Sequence, residues 1–103
     1  MNNKKMYTRV TCADGFSMSV QANEGSYCEP RTSNASRYDS VEVGFPSASE
    51  PLLIEYADEP THPTETVYGY VPVGTVTNVI AKHGGMVDGE VPPGVAPLRA
   101  SAR

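Results

Sequence analysis

The residues with the most reactive chemistry to offer are Cys28 and His83, a thiol and an imidazole, the latter followed by Gly84-Gly85. A nucleophilic thiol, a basic ring and backbone amides as oxyanion donors would together suit acyl transfer. No spacing in the chain requires Cys28 and His83 to meet, and a domain of this size hardly forms a substrate cleft. The expectation is a loop thiol and a histidine at a helix C-terminus. Cys12, Cys28, His62 and His83 make four potential zinc ligands, but no close pair such as C-x2-C occurs among them. Glu55, Asp58, Glu59 and Glu65 around His62 would attract a divalent cation, yet prolines stand where a calcium loop needs a glycine. The reading is therefore non-enzymatic: no catalytic residues, no metal site and no cofactor.

A different group is more suggestive. Tyr27, Arg31, Arg37 and Tyr38 share one polar connection, residues 23–40 (NEGSYCEPRTSNASRYDS), which lacks Leu, Ile, Val, Phe and Met. Tyrosine supplies rigid amphipathic contact area, and arginine makes forked hydrogen bonds to carboxylate or phosphate. Connections beyond ~12–15 residues in a small domain are usually functional or disordered. Strict alternation along TVYGYV adds Tyr68 and Tyr70 on the outer face of a strand. These six residues are the candidate partner- or ligand-binding set. A protein partner suits them, and a small phosphorylated ligand such as a nucleotide is the alternative. Against both stands the account in which the tyrosines cover a thin core and the arginines pair with Glu24, Glu29 or Asp39.

Charge narrows the partners. The net charge is −4, and residues 6–91 hold all twelve acids against Arg9, Arg31, Arg37 and Lys82. Such a body lacks the positive face that nucleic-acid backbones require. Mimicry of nucleic acid is disfavoured, because the acids are scattered rather than aligned. No run approaches the ~20 apolar residues of a membrane span, and no apolar stretch follows Lys4-Lys5. The expectation is a cytoplasmic protein whose cysteines are thiols, with Asn34-Ala35-Ser36 a chance match to a glycosylation acceptor.

Stepping from side chains to elements, Leu, Ile, Val and Phe make up only 18% of the 103 residues, and twelve of them are valines. That composition favours strands. Residues 7–22 read as a hairpin. A three-residue loop, Ala13-Asp14-Gly15, pairs Cys12 with Phe16, Val10 with Met18 and Thr8 with Val20, keeping one face apolar. A third strand runs from Val41 to Phe45. Ser47 with Glu50 fits a capping box and predicts a short helix through Leu52, Leu53 and Tyr56. Strand four follows over 66–71. Pro72 opens a helix whose stripe of Val73, Val76, Val79, Ile80 and His83 lies on the sheet, stopped by Gly84-Gly85.

The predicted architecture is α+β: an antiparallel sheet of about four strands, in the order β-β-β-α-β-α, with the C-terminal helix packed on one face. Residues 1–5 form a flexible N-terminus, 6–87 the domain, and 88–103 a flexible Pro/Gly-rich tail. So thin a core predicts a homodimer that buries the tyrosine-bearing face.

The strings DGFSMSVQA, YCEPR, VEVGFPS, TVYGYVP and VIAKHGG resemble a group of small uncharacterised proteins of tailed bacteriophages and prophages, over residues 7–86. The resemblance brings no activity and no catalytic residues. It implies an accessory factor for host takeover or anti-defence, which binds a host protein in the host cytoplasm.

Overall fold

Valines at alternating positions pair into one antiparallel sheet in the computed structural model, which describes residues 6–101. The expected flexible segment 1–5 lies outside the described residues. The strands are β1 (Val10–Cys12), β2 (Ser17–Gln21), β3 (Ser40–Gly44), β4 (Val67–Pro72) and β5 (Met86–Asp88), ordered β4-β3-β2-β1-β5 across the sheet. The hairpin has the register derived from its pattern. Val10 lies opposite Met18, and the Cys12 amide donates to the Phe16 carbonyl at 2.8 Å. Gly15 closes the turn at φ +96°, where a side chain would be strained.

Helix α1 (Val73–Lys82) starts directly where β4 ends and leads to β5 at the opposite edge. Its ten residues span about 15 Å, against about 19 Å for four inter-strand gaps, so the chain crosses almost the whole sheet in one pass. Val76, Val79 and Ile80 are the buried stripe. They meet Val10, Met18, Val20, Val41, Val43 and Val71 from the strands in one apolar cluster.

Two expectations are corrected. No α-helix forms at the capping-box motif. Ser47 pairs instead with Ser17, donating its amide to the Ser17 carbonyl at 2.8 Å and accepting the Ser17 amide at 2.9 Å. Glu50 is drawn to the end of α1, and only a 3-10 turn, Ile54–Tyr56, follows. The second correction concerns residues 88–101, which are packed rather than loose. Met86 donates to the Leu98 carbonyl at 2.7 Å, and Ala100 donates back to Met86 at 2.9 Å, in a parallel bridge along β5. Tyr38 donates its amide to Pro93, and Ala96 donates to Thr77 on the helix. Val95, 4% exposed, joins the core.

Gly94 shows how closely this segment is fitted. Its φ is +111°, and a Cβ there would stand 2.4 Å from the Tyr38 carbonyl oxygen. Gly94→Ala should therefore cost about 1–3 kcal/mol in urea unfolding. An unchanged midpoint would mean that the segment contributes nothing to the fold.

Candidate functional site

Strict alternation would place Tyr68 and Tyr70 on one face of β4, and the structure separates them. Val41 pairs with Val71 and Val43 with Tyr68, so Gly69 and Tyr70 together stand opposite the lone Glu42. This bulge turns Tyr68 inward and Tyr70 outward. Tyr68 is fully buried and its hydroxyl donates to the Pro63 carbonyl at 2.5 Å. Burial raises the Tyr68 phenol above its ordinary value. Tyr70 is 45% exposed and takes φ +53°, an uncommon conformation for an aromatic residue.

The bulge also seats Tyr27. The Tyr27 amide donates to Glu42 Oε1 at 2.8 Å, and the Tyr70 amide donates to the Tyr27 carbonyl at 3.0 Å. The Tyr27 side chain lies over Gly69, where an added Cβ would come within 3.2 Å of Tyr27 Cβ. The rings of Tyr27 and Tyr70 are 5.9 Å apart and tilted by 37°. The Arg31 guanidinium sits 5.2 Å from the Tyr27 ring centre. Residues 43 positions apart in sequence thus make one aromatic platform. It borders a groove of about 310 Å³, whose walls include Tyr56, Asp58 and Val67. A Gly69→Ala substitution should push the two rings apart while changing global stability by less than about 1 kcal/mol. Retained ring-to-ring NOEs in that variant would contradict the seating described.

Of the six residues expected to bind, three converge here: Tyr27, Arg31 and Tyr70. Tyr38 and Tyr68 leave the candidate surface. Tyr38 is fully buried, its hydroxyl donating to the Thr32 carbonyl at 2.6 Å and accepting from the Ala35 amide. In a chain short of leucine and isoleucine, these two large rings fill the core. Arg37 is exposed and makes no hydrogen bond or ion pair with the platform. Sequence reasoning missed Tyr56 and Phe45, and it grouped Asp58 with the acids around His62 rather than with the platform. Phe45 is half-exposed at φ +49°, and Arg9 Nη2 holds its carbonyl at 2.6 Å. It borders a second hollow of about 330 Å³ that shares Val67 with the first. An aromatic residue immediately before Pro46, past the end of a strand, was the available signal.

The reactive residues named from sequence do not assemble. Cys28 Sγ faces the carbonyls of Asn23 and Pro30 at 3.4 Å, and burial pushes its thiol upward. Burial, reinforced by the Asp14 charge, raises the Cys12 thiol as well. Neither is poised as a thiolate. His83 is held at both ring nitrogens: Nδ1 lies 2.6 Å from Asp14 Oδ2 and Nε2 lies 2.6 Å from Glu50 Oε1. With both nitrogens engaged, the ring has no free position from which to serve Cys28 as a base. Phe16 stacks on it at 4.1 Å. Glu50 is 1% exposed, and its other oxygen accepts from Lys82 Nζ and from the Leu52 amide, both at 2.8 Å. Among the described residues no group of three or more His, Cys, Asp or Glu is arranged to hold a metal ion.

The Asp14–His83–Glu50–Lys82 cluster ties together the hairpin turn, the 47–53 segment and the end of α1. Burial disfavours the His83 cation, but the hydrogen bonds to Glu50 and Asp14 outweigh it and raise its pKa above the ordinary 6.5. Asp14 is lowered, chiefly by the Phe16 amide and then by His83. Burial opposes the Glu50 charge, and Lys82, the Leu52 amide and His83 more than offset it. For His83 the stabilisation is whole below 6.5 and fades as pH rises through its raised value. For Asp14 and Glu50 it is whole above 3.8 and 4.5, and fades as pH falls through their lowered values. The melting temperature should peak between about pH 4.5 and 6.5. His83→Gln should flatten the alkaline side, and a wild-type alkaline fall surviving in that variant would refute the assignment.

No protein-family model, curated protein or solved structure matches the chain.

Proposed function

We propose that the protein is a non-enzymatic binding protein that engages another protein through Tyr27, Tyr70 and Arg31. The observation that carries this reading is the convergence of two half-exposed tyrosines on a backbone held in an uncommon conformation. An exposed aromatic residue at positive φ lowers stability locally, and such strain gathers at binding and switch sites. Tyrosine and arginine are also the side chains that most often dominate interface energies. Following the resemblance to phage proteins, the partner is a host protein met in the host cytoplasm, and the outcome is takeover or anti-defence.

The nucleotide alternative finds less support. Only one arginine stands at the platform, and the carboxylates of Asp58 and Glu42 border it, which disfavours phosphate. Nor does the reading need a second copy of the chain. Of the two tyrosines on the face expected to be buried in a homodimer, Tyr68 is buried by the chain itself and Tyr70 stays exposed, while Met86 and Val95 extend the core.

Immobilised protein should retain one specific partner from a host lysate. Tyr27→Ala, Tyr70→Ala and Arg31→Ala should each weaken retention by roughly 2 kcal/mol, about thirtyfold, at an unchanged melting temperature. Arg37→Ala should bind as wild type. Equal retention by all four variants would overturn the assignment of the platform.

A further inference from the structure

The groove beside the platform has a composition that selects for charge. Three of its walls are tyrosines, Tyr27, Tyr56 and Tyr70, and a fourth is Asp58. Asp58 is exposed, and its carboxylate has no hydrogen-bond or ion-pair partner among the described residues. A cation is attracted by the negative faces of aromatic rings and by a nearby carboxylate. We infer that this groove takes the cationic side chain, lysine or arginine, of a basic peptide segment in the partner. The inference deepens the binding reading above and rests on it.

Three observations support this occupant. Tyr27 already accepts a guanidinium, since Arg31 lies 5.2 Å from its ring centre. Arg31 is not among the residues that line the groove. A volume of about 310 Å³ admits an ammonium or guanidinium head with part of its stem. The neighbouring carboxylates act in the same direction and outnumber the one cation at the platform, Arg31. Glu55 and Glu59 flank Tyr56 and Asp58 in sequence, and Glu42 lies under the Tyr27 amide. The acidic body steers basic segments towards the surface and is repelled by anionic membranes, which favours a peptide over a lipid headgroup as the source of the cation.

The test uses a short neutral peptide carrying one central lysine, the same peptide with trimethyllysine, and a third with the uncharged carbon isostere of trimethyllysine. Binding is read from the ring resonances of Tyr27, Tyr56 and Tyr70 in the full chain. Both cationic peptides should shift all three rings saturably, and the isostere should bind at least about tenfold more weakly. Asp58→Asn, a change at an exposed side chain, should weaken the cationic peptides several-fold and leave the isostere unaffected. Equal binding of isostere and trimethyllysine would overturn the inference, since the groove would then be merely apolar. Ring shifts with phosphatidylcholine vesicles but not with the peptides would overturn it in favour of a lipid source. The two readings fail separately. A partner lost on Tyr27→Ala but indifferent to Asp58→Asn and to excess trimethyllysine peptide keeps the platform and removes the cation. A groove that binds the cationic peptides, while no retained partner depends on Tyr27, does the reverse.

Discussion

A shortage of large aliphatic side chains constrains everything else in this molecule. Five valines, Val10, Val20, Val41, Val43 and Val71, make up most of the inner face of the sheet, and Met18 is the one longer side chain buried in β1, β2 and β3. Valine suits a pleated surface but reaches only a short way above it. Covering that face takes a helix that crosses the sheet, two tyrosines turned inward and a C-terminal segment that closes the side. Tyr38 and Tyr68 are the two largest fully buried side chains. Each brings a hydroxyl that must be satisfied, and each finds a backbone carbonyl, Thr32 or Pro63. The long polar connections are therefore needed by the core, because they supply the acceptors.

The same economy explains the buried Glu50. A nearly inaccessible carboxylate would be costly alone, but Lys82, His83 and the Leu52 amide all point at it. The cluster joins three segments distant in sequence. Lys82 in the last turn of α1 and His83 just beyond it also suit the negative end of the helix, and both pair with this one acid. Polar contacts here add to the packing of Phe16, Leu53 and Ile80 from the same segments.

Much of the fold was legible locally. The hairpin register followed from one requirement, that Val10, Cys12, Phe16 and Met18 share a face. The helix followed from the spacing of Val76, Val79 and Ile80 between a proline and two glycines. In both cases the decisive interactions lie within a few residues of each other. The site is legible in part: Tyr27, Arg31 and Tyr70 stand out by type and pattern, whereas Asp58 stands out only as one of the acids around His62, and nothing links Tyr56 or Phe45 to them. The pattern puts Tyr56 on a helix that needs Glu50 for its cap, and Glu50 has other partners.

By itself the amino-acid sequence determined β1 to β4, α1, the hairpin turn, the acidic character of the body and the polar nature of the 23–40 connection, but not β5. Periodicity, turn residues and charge are local quantities and can be read without a partner. Tertiary structure alone decided which tyrosines face solvent, what Glu50 binds and whether the C-terminal segment packs. Each of those outcomes depends on a residue far away in the chain. Glu42 stands opposite the two-residue bulge that separates Tyr68 from Tyr70, Lys82 and His83 capture Glu50, and the Tyr38 backbone meets Pro93 and Gly94. A bulge of one residue reverses the facing of every side chain beyond it, and no alternation pattern within β4 could register that.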